Sequence, residues 1–256
     1  MATNKLNDIE GIIIKEIKYR NTSKILKMIT PDLGKISIMA QAAYRNNSPL
    51  SSITGNYSRV RYNLSRGKNF YYIKDGILEE NNFFLSKSME LLVISGFISE
   101  FIDRTTTDES PERDIYFLLI SFLKEIKKNN QFCRAALIAF LLKYSSFAGF
   151  KPRLRGCKIC KDTNKDLFNF IIDEGGTFCM DCIISGRDAY TLSRDELIFL
   201  DRLLHLPMKV SAENFRDYSD RADMKKMMSL ALDYNLYNFE IEDLRITKWL
   251  DRIDFI

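Results

Sequence analysis

Four of the chain's five cysteines form two Cys-x-x-Cys pairs, Cys157 with Cys160 and Cys179 with Cys182, separated by 18 residues. That interval falls within the window expected of a zinc site. Each pair sets two sulfurs on one tight turn, where both reach an ion at about 2.3 Å, and a second turn completes a tetrahedron. Gly175-Gly176 suits a turn in the hairpin between the pairs. Four thiolates fill the shell that zinc prefers in a structural site, whereas a catalytic site keeps one position for water. The expected cofactor is therefore one structural Zn2+ per chain, although thiolates alone also accept iron. The four thiolates and Zn2+ sum to −2, and Arg155, Lys158 and Lys161 stand nearby in sequence to offset it. Unligated structural thiols are the other reading of these residues.

Little else in the sequence points to catalysis. The only histidine, His205, lies in a helical pattern far from the cysteines, which removes the His-x-Glu motif that a zinc deaminase needs. Cys133 falls mid-helix in FCRAALIAF and reads as a small buried hydrophobe. No nucleophile elbow, Walker A loop or Gly-x-Gly-x-x-Gly fingerprint occurs. Carboxylate pairs such as Asp108-Glu109 and Glu79-Glu80 fall in loop-like segments. No catalytic residue is assigned, and the expectation is a protein that is not an enzyme.

The elements that must carry the cysteines follow from patterning. With 256 residues, 46% hydrophobic and 28% charged, the chain can bury a substantial core. Its longest apolar runs, LLVISGFIS, IYFLLISFL and AALIAFLL, are about half the ~20 residues that span a bilayer. MATNKLNDIEG lacks the features of a secretory signal, so a cytoplasmic protein with no membrane partner is expected. Reduced thiols in that compartment favour metal ligation over disulfides.

Up to residue 80 the chain reads as five strands: IEGIIIKEIKY, SKILKMIT, KISIMAQAA, SRVRYNLS and NFYYIKDG. Turn chemistry at Pro31-Asp32-Leu33-Gly34, Ser65-Arg66-Gly67 and Asp75-Gly76 separates them. Five short strands suggest a small closed barrel. From Phe83 the period becomes helical, with helices expected over 83–104, 110–129, 132–149, 192–206 and about 222–237. The fold class is thus α+β: an N-terminal five-stranded barrel over 1–80, then a helical domain over 81–256 with a zinc-binding insert at about 153–187.

Charge is unevenly shared. Residues 1–80 hold 13 Lys+Arg against 7 Asp+Glu, and the remainder 25 against 27, so the basic excess sits in the barrel. In SRVRYNLS, alternation puts Val60, Tyr62 and Leu64 on one face and Arg59, Arg61 and Asn63 on the other. A basic, aromatic outer wall suits nucleic acid, with phosphates on cations and bases on rings. Candidates are Lys24, Lys35, Arg45, Arg59, Arg61, Arg66 and Lys68, with Tyr44 and Tyr57 for stacking. An ordinary solvated wall is the bland alternative.

The order of parts resembles the RecO family, bacterial recombination mediators built from an OB-fold and a helical domain with an embedded zinc element. The resemblance rests on GIIIKEIKYRNTSKILKMITPDLGKISIMAQAAYRNNSPL and, more specifically, on GFKPRLRGCKICKD and GGTFCMDC. In the latter, Gly149, Pro152, Leu154, Gly175-Gly176 and the four cysteines match the family's pattern. It implies a protein that binds single- and double-stranded DNA and anneals complementary strands. The implied partners are RecR, the acidic tail of single-stranded-DNA-binding protein and, indirectly, RecA. The family's basic face maps onto Lys24, Lys35, Arg45, Arg59, Arg61 and Arg66. Where the family commonly has a basic residue and a glycine after the third strand, this chain has Gln41 and Ala42. Lys161 likewise stands where glycine often follows the first knuckle. A zinc-containing interaction adaptor without direct DNA function is the rival reading.

Overall fold

Alternating Ile, Met and Tyr build the barrel from β1 (Lys5–Tyr19), β2 (Ser23–Thr30), β3 (Gly34–Ala40), β4 (Arg59–Arg66) and β5 (Tyr71–Glu80). The computed structural model describes residues 5–182, 187, 189–208, 221–242, 244 and 250. Two units divide the chain, one of Met1–Ser88 with Ser95–Phe117 and one of Met89–Ile94 with Leu118–Ile256.

In the first unit the strands close in the order β1-β2-β3-β5-β4, the topology of an OB-fold. Closure depends on a short parallel pairing, Ile38 with Tyr71 and Met39 with Tyr72. As the alternation predicts, Val60, Tyr62 and Leu64 are buried and Arg59, Arg61 and Asn63 face outward. They join Ile13, Leu26, Met28, Ile36 and Ile38 in the barrel core, where each large side chain contributes about 1.5–3 kcal/mol. The Tyr62 hydroxyl donates to the Ile53 carbonyl, so this buried polar atom is satisfied. Gly76 pairs opposite Tyr62, and a Cβ there would lie 2.3 Å from Tyr62 Cδ1.

Boundaries differ from the sequence reading in physical detail. The third strand ends at Ala40 rather than continuing to Ala43, because Ala42 takes left-handed backbone at φ 55° and turns the chain. The fifth continues past Gly76 to Glu80. The helical stretch from Phe83 begins as a 3-10 turn, Phe83–Lys87, before α1 (Met89–Thr105). Ser95–Phe117, expected to belong with the helical domain, clusters with the barrel.

In the second unit, α3 (Cys133–Phe147) is the central element. Its residues 135–142 are all buried. The Asn235 amide, on α5 (Arg221–Asn238), donates to its Leu141 carbonyl at 3.2 Å. Its Lys143 ammonium donates to the carbonyls of Leu204 and Leu206 at 2.8 and 2.6 Å, closing the C-terminal end of α4 (Arg194–His205). At the other end of α4 a capping box operates: Ser193 Oγ accepts from the Glu196 amide and Glu196 Oε2 accepts from the Ser193 amide. Between α3 and α4 in sequence lies a sheet that hairpin reasoning only partly anticipated. Its order is β7 (Gly176–Cys179), β6 (Leu167–Ile171), β8 (Ala189–Ser193). α2 is Arg113–Lys128.

Candidate metal centre and nucleic-acid interface

Two knuckles bring the four cysteines together. In the first, Gly156 sits at φ 63° with no space for a side chain, since a Cβ would lie 2.6 Å from the Asp162 carbonyl oxygen. The Cys157 amide then donates to Asp162 and the Lys161 amide donates back to Cys157, at 2.9 and 3.0 Å. Lys161 is left-handed at φ 64°, a conformation that favours glycine. The second knuckle starts at the end of β7 and closes through the Cys182 amide on the Cys179 carbonyl, at 3.0 Å. Lys158 donates its amide to Thr177 at 2.7 Å and Thr177 Oγ1 donates to Gly156 at 2.7 Å, pinning one knuckle to the strand that carries the other.

The resulting sulfurs lie within 4.8 Å of one another, and Cys160 and Cys179 are 3.7 Å apart. A tetrahedral ion with bonds of about 2.3 Å places its sulfurs about 3.8 Å apart, so the cluster has the dimensions of a four-thiolate metal site. Burial opposes ionisation of Cys157, but the amides of Cys179, Cys160 and Ile159 outweigh it and bring the thiol down to about 6. Cys182 moves the other way, to about 12, chiefly because Cys179 stands beside it. Without a cation the cluster does not carry four negative charges. A divalent ion is what makes four thiolates compatible at this separation. Of the cations expected to offset the charge, Lys158 pairs with Glu174 and Arg155 with Asp201, while Lys161 donates to a backbone carbonyl.

The barrel's cations divide into two groups. Lys24 and Lys35, read from the sequence as part of an exposed wall, are only 8% and 5% exposed. The Lys24 ammonium donates to Glu16 at 2.6 Å and lies over the Tyr44 ring. That of Lys35 donates to the carbonyls of Asp103 and Thr106 and pairs with the Asp103 and Asp108 carboxylates. A buried ammonium must be paired, and this requirement turns both lysines inward. Arg59 pairs with Glu10, Arg61 with Asp8, Glu10 and Glu79, and Arg66 with Glu109. Tyr57, considered for stacking, instead accepts a hydrogen bond from Ser99.

Arg45 behaves differently. With Arg20 and Lys68 it lines a groove of about 570 Å³, together with Tyr19, Phe70 and Tyr72. These three cations are exposed and, among the described residues, face no carboxylate at ion-pair distance. The groove joins the β1–β2 turn, the chain leaving β3 and the β4–β5 turn. The Tyr44 amide donates to the Thr22 carbonyl at 2.9 Å and the Ala42 amide donates to Ser23 Oγ at 3.2 Å, binding two of these segments together. Sequence reasoning missed Arg20. Its position in the turn that an OB-fold commonly uses for oligonucleotides was the available signal.

Fold and site define an α+β protein with an OB-type barrel, a basic and aromatic groove at one end of it, and a helical region carrying a four-cysteine cluster with the dimensions of a metal site. The chain belongs to the RecO family: residues 5–81 match the family described as Recombination protein O N terminal, and residues 87–244 match Recombination protein O C terminal. It is 28% identical over 195 residues to the DNA repair protein RecO of Caldanaerobacter subterraneus subsp. tengcongensis, covering 76% of this chain and 78% of that one. Identity to the Alkaliphilus metalliredigens DNA repair protein RecO is 25% over 248 residues, 96% of this chain and 94% of the other. The DNA repair protein RecO of Listeria monocytogenes is 23% identical over 245 residues, again 96% and 94%. Among the described residues no helix is long and apolar enough to cross a membrane.

Proposed function

We propose that the chain is a DNA-repair and recombination mediator that binds single- and double-stranded DNA, anneals complementary strands and, with RecR, helps load RecA. The observation that carries this reading is the groove of Arg20, Arg45 and Lys68 with its neighbouring rings. Cations that face no carboxylate among the described residues are free to replace the counterions of a phosphate backbone, and partly exposed aromatic rings accept bases of any sequence. Arg59, Arg61 and Arg66 have their charge already engaged by carboxylates, and Lys24 and Lys35 serve the barrel's stability. In this reading residues 1–80 are the nucleic-acid-binding domain, and 81–256, with the insert at about 153–187, present the surfaces for RecR and for the acidic tail of single-stranded-DNA-binding protein. Part of that span, 183–186 and 251–256 included, lies outside the described residues. The metal is Zn2+, one per chain, and it shapes the insert without performing chemistry. The protein works in the cytoplasm on the nucleoid and catalyses no bond cleavage.

The test compares Arg20→Gln/Arg45→Gln/Lys68→Gln with Arg59→Ala/Arg61→Ala in binding to single-stranded DNA across a salt series. Each lost phosphate contact flattens the plot of log K against log[salt] by about 0.7. The groove variant should lose about 2.1 in slope and affinity of at least about tenfold. The wall variant should change little. A groove variant that binds and anneals like the parent chain would exclude this assignment, and unaltered DNA affinity in both variants would favour the adaptor reading.

A further inference from the structure

The segment Lys151-Pro152-Arg153-Leu154-Arg155 enters the metal-bearing insert as extended chain. Arg153 forms a bridge beside Gly176, donating its amide to the Gly175 carbonyl at 2.9 Å and accepting from the Thr177 amide at 3.2 Å. Side chains of extended backbone alternate between faces. Here Pro152 and Leu154 turn inward and are buried, while Lys151, Arg153 and Arg155 are exposed. The Pro152 and Leu154 pattern that fixes the insert in place therefore forces its odd-numbered neighbours into a row of three cations. Alternate positions on a strand are about 6.6–6.8 Å apart, a repeat comparable to that of successive phosphates along an extended single strand.

Several features set this row apart from an ordinary charged surface. It borders a cavity of about 370 Å³ lined by 151–155, Asp201 and His205. The one carboxylate in that lining, Asp201, is taken up by Arg155 Nε at 2.9 Å. Lys151 and Arg153 face no carboxylate at ion-pair distance among the described residues. The Phe150 ring precedes the row and is 39% exposed, and Phe147 is 51% exposed. A row of cations that follows an accessible ring suits single-stranded nucleic acid. An acidic peptide adding as a strand fits less well, because Pro152 has no N–H to donate and the Arg153 amide is already engaged.

We infer that the Lys151–Arg153–Arg155 row, with Phe150, is a second binding site for single-stranded DNA, carried by the unit that holds the cysteine cluster and built from none of the barrel groove's residues. The inference rests on the reading that the chain handles DNA. It gives one chain two places for a strand, so that a single molecule holds two like-charged strands at once. Arg contributes a fork that can grip a phosphate through two parallel hydrogen bonds, and Lys a point charge.

The test titrates full-length protein with a short oligothymidylate and measures annealing of complementary strands. Lys151→Gln/Arg153→Gln leaves Arg155 and its Asp201 pair intact, and metal content and circular dichroism confirm its fold. The parent chain should take two oligonucleotides and the variant one, with the salt slope of the lost phase shallower by about 1.4, about 0.7 for each phosphate. Annealing should fall by at least about tenfold. Lys151→Arg/Arg153→Lys, which keeps both charges, should restore the second site. Unchanged stoichiometry and slope in the Gln variant would overturn the inference. So would loss of polyglutamate binding with DNA stoichiometry untouched, which would mark the row as a peptide site. Should the groove variant Arg20→Gln/Arg45→Gln/Lys68→Gln keep both DNA sites, the barrel assignment fails alone, and the row is judged by its own variant.

Discussion

Asp103 offers a sharp test of how the barrel unit is held together. Its carboxylate, only 9% exposed, receives Lys15 at 3.0 Å, Lys27 closer still, and Lys35 at 3.4 Å. Asp103→Asn keeps the shape and removes the charge. Lys15, 45% exposed as a side chain, returns to water at a cost of about 0–1 kcal/mol. Lys27, 26% exposed, loses a charge-assisted bond in a drier setting, about 1.5 kcal/mol. Lys35 stays buried but keeps the carbonyls of Asp103 and Thr106 and the Asp108 carboxylate, which limits its loss to about 1 kcal/mol. The expected destabilisation near neutral pH is about 3 kcal/mol, at the low end for breaking a buried pair. Burial alone would raise the Asp103 pKa, but hydrogen bonds from Lys27 and Lys15 outweigh it and hold the carboxyl below its ordinary value. Its contribution is therefore complete above the unfolded value of about 3.9 and disappears as pH falls through the lower folded value. Urea unfolding followed by circular dichroism should show a large midpoint difference between parent and variant at neutral pH that closes in strong acid. An unchanged or raised midpoint at neutral pH, or a penalty that persists undiminished in acid, would refute the reasoning.

Two further outcomes concern the metal centre. Cys179→Ser should abolish stoichiometric zinc, measured by metal analysis of reduced protein, and lower the stability of the second unit, while DNA binding at the barrel groove survives. Lys161→Gly should stabilise the zinc-loaded insert by up to about 1 kcal/mol, because it removes left-handed strain of about 1–2 kcal/mol at the cost of greater unfolded-chain freedom. Thermal unfolding with zinc present checks this, and a lower midpoint would count against the strained knuckle.

What the sequence revealed and what it concealed follow from the range of the interactions. The alternation of Val60, Tyr62 and Leu64 and the spacing of the four cysteines are local, and both survive in the structure. The partners of the basic wall are not local: Glu109 lies 43 residues from Arg66, and Asp103 lies 88 residues from Lys15. Arg59 and Arg61 on an outward face looked available because their carboxylates sit on other strands. The groove was hidden for a related reason. Only the offset pairing of β5 beside the end of β3 brings Lys68 near Arg20 and Arg45. β8 went unseen because AYTLS is short and finds its partner, β6, across the second knuckle.

One rung of the small sheet runs Cys179, Phe168, Leu192, with all three side chains fully buried. Its first residue belongs to the four-cysteine cluster. Its last precedes Ser193, whose hydroxyl starts α4, and α4 in turn ends on the ammonium of Lys143 from α3. The cysteine cluster is thereby linked through the sheet's ladder, and then through the Ser193 hydroxyl and the Lys143 ammonium, to both ends of α4 and to α3. If the proposed zinc fills this cluster, it acts as a keystone more than as a clasp on a loop, and its uptake and the consolidation of the helical core form one cooperative event. Stripping the ion would send the first loss of amide-exchange protection through β7 and β6 to the cap of α4.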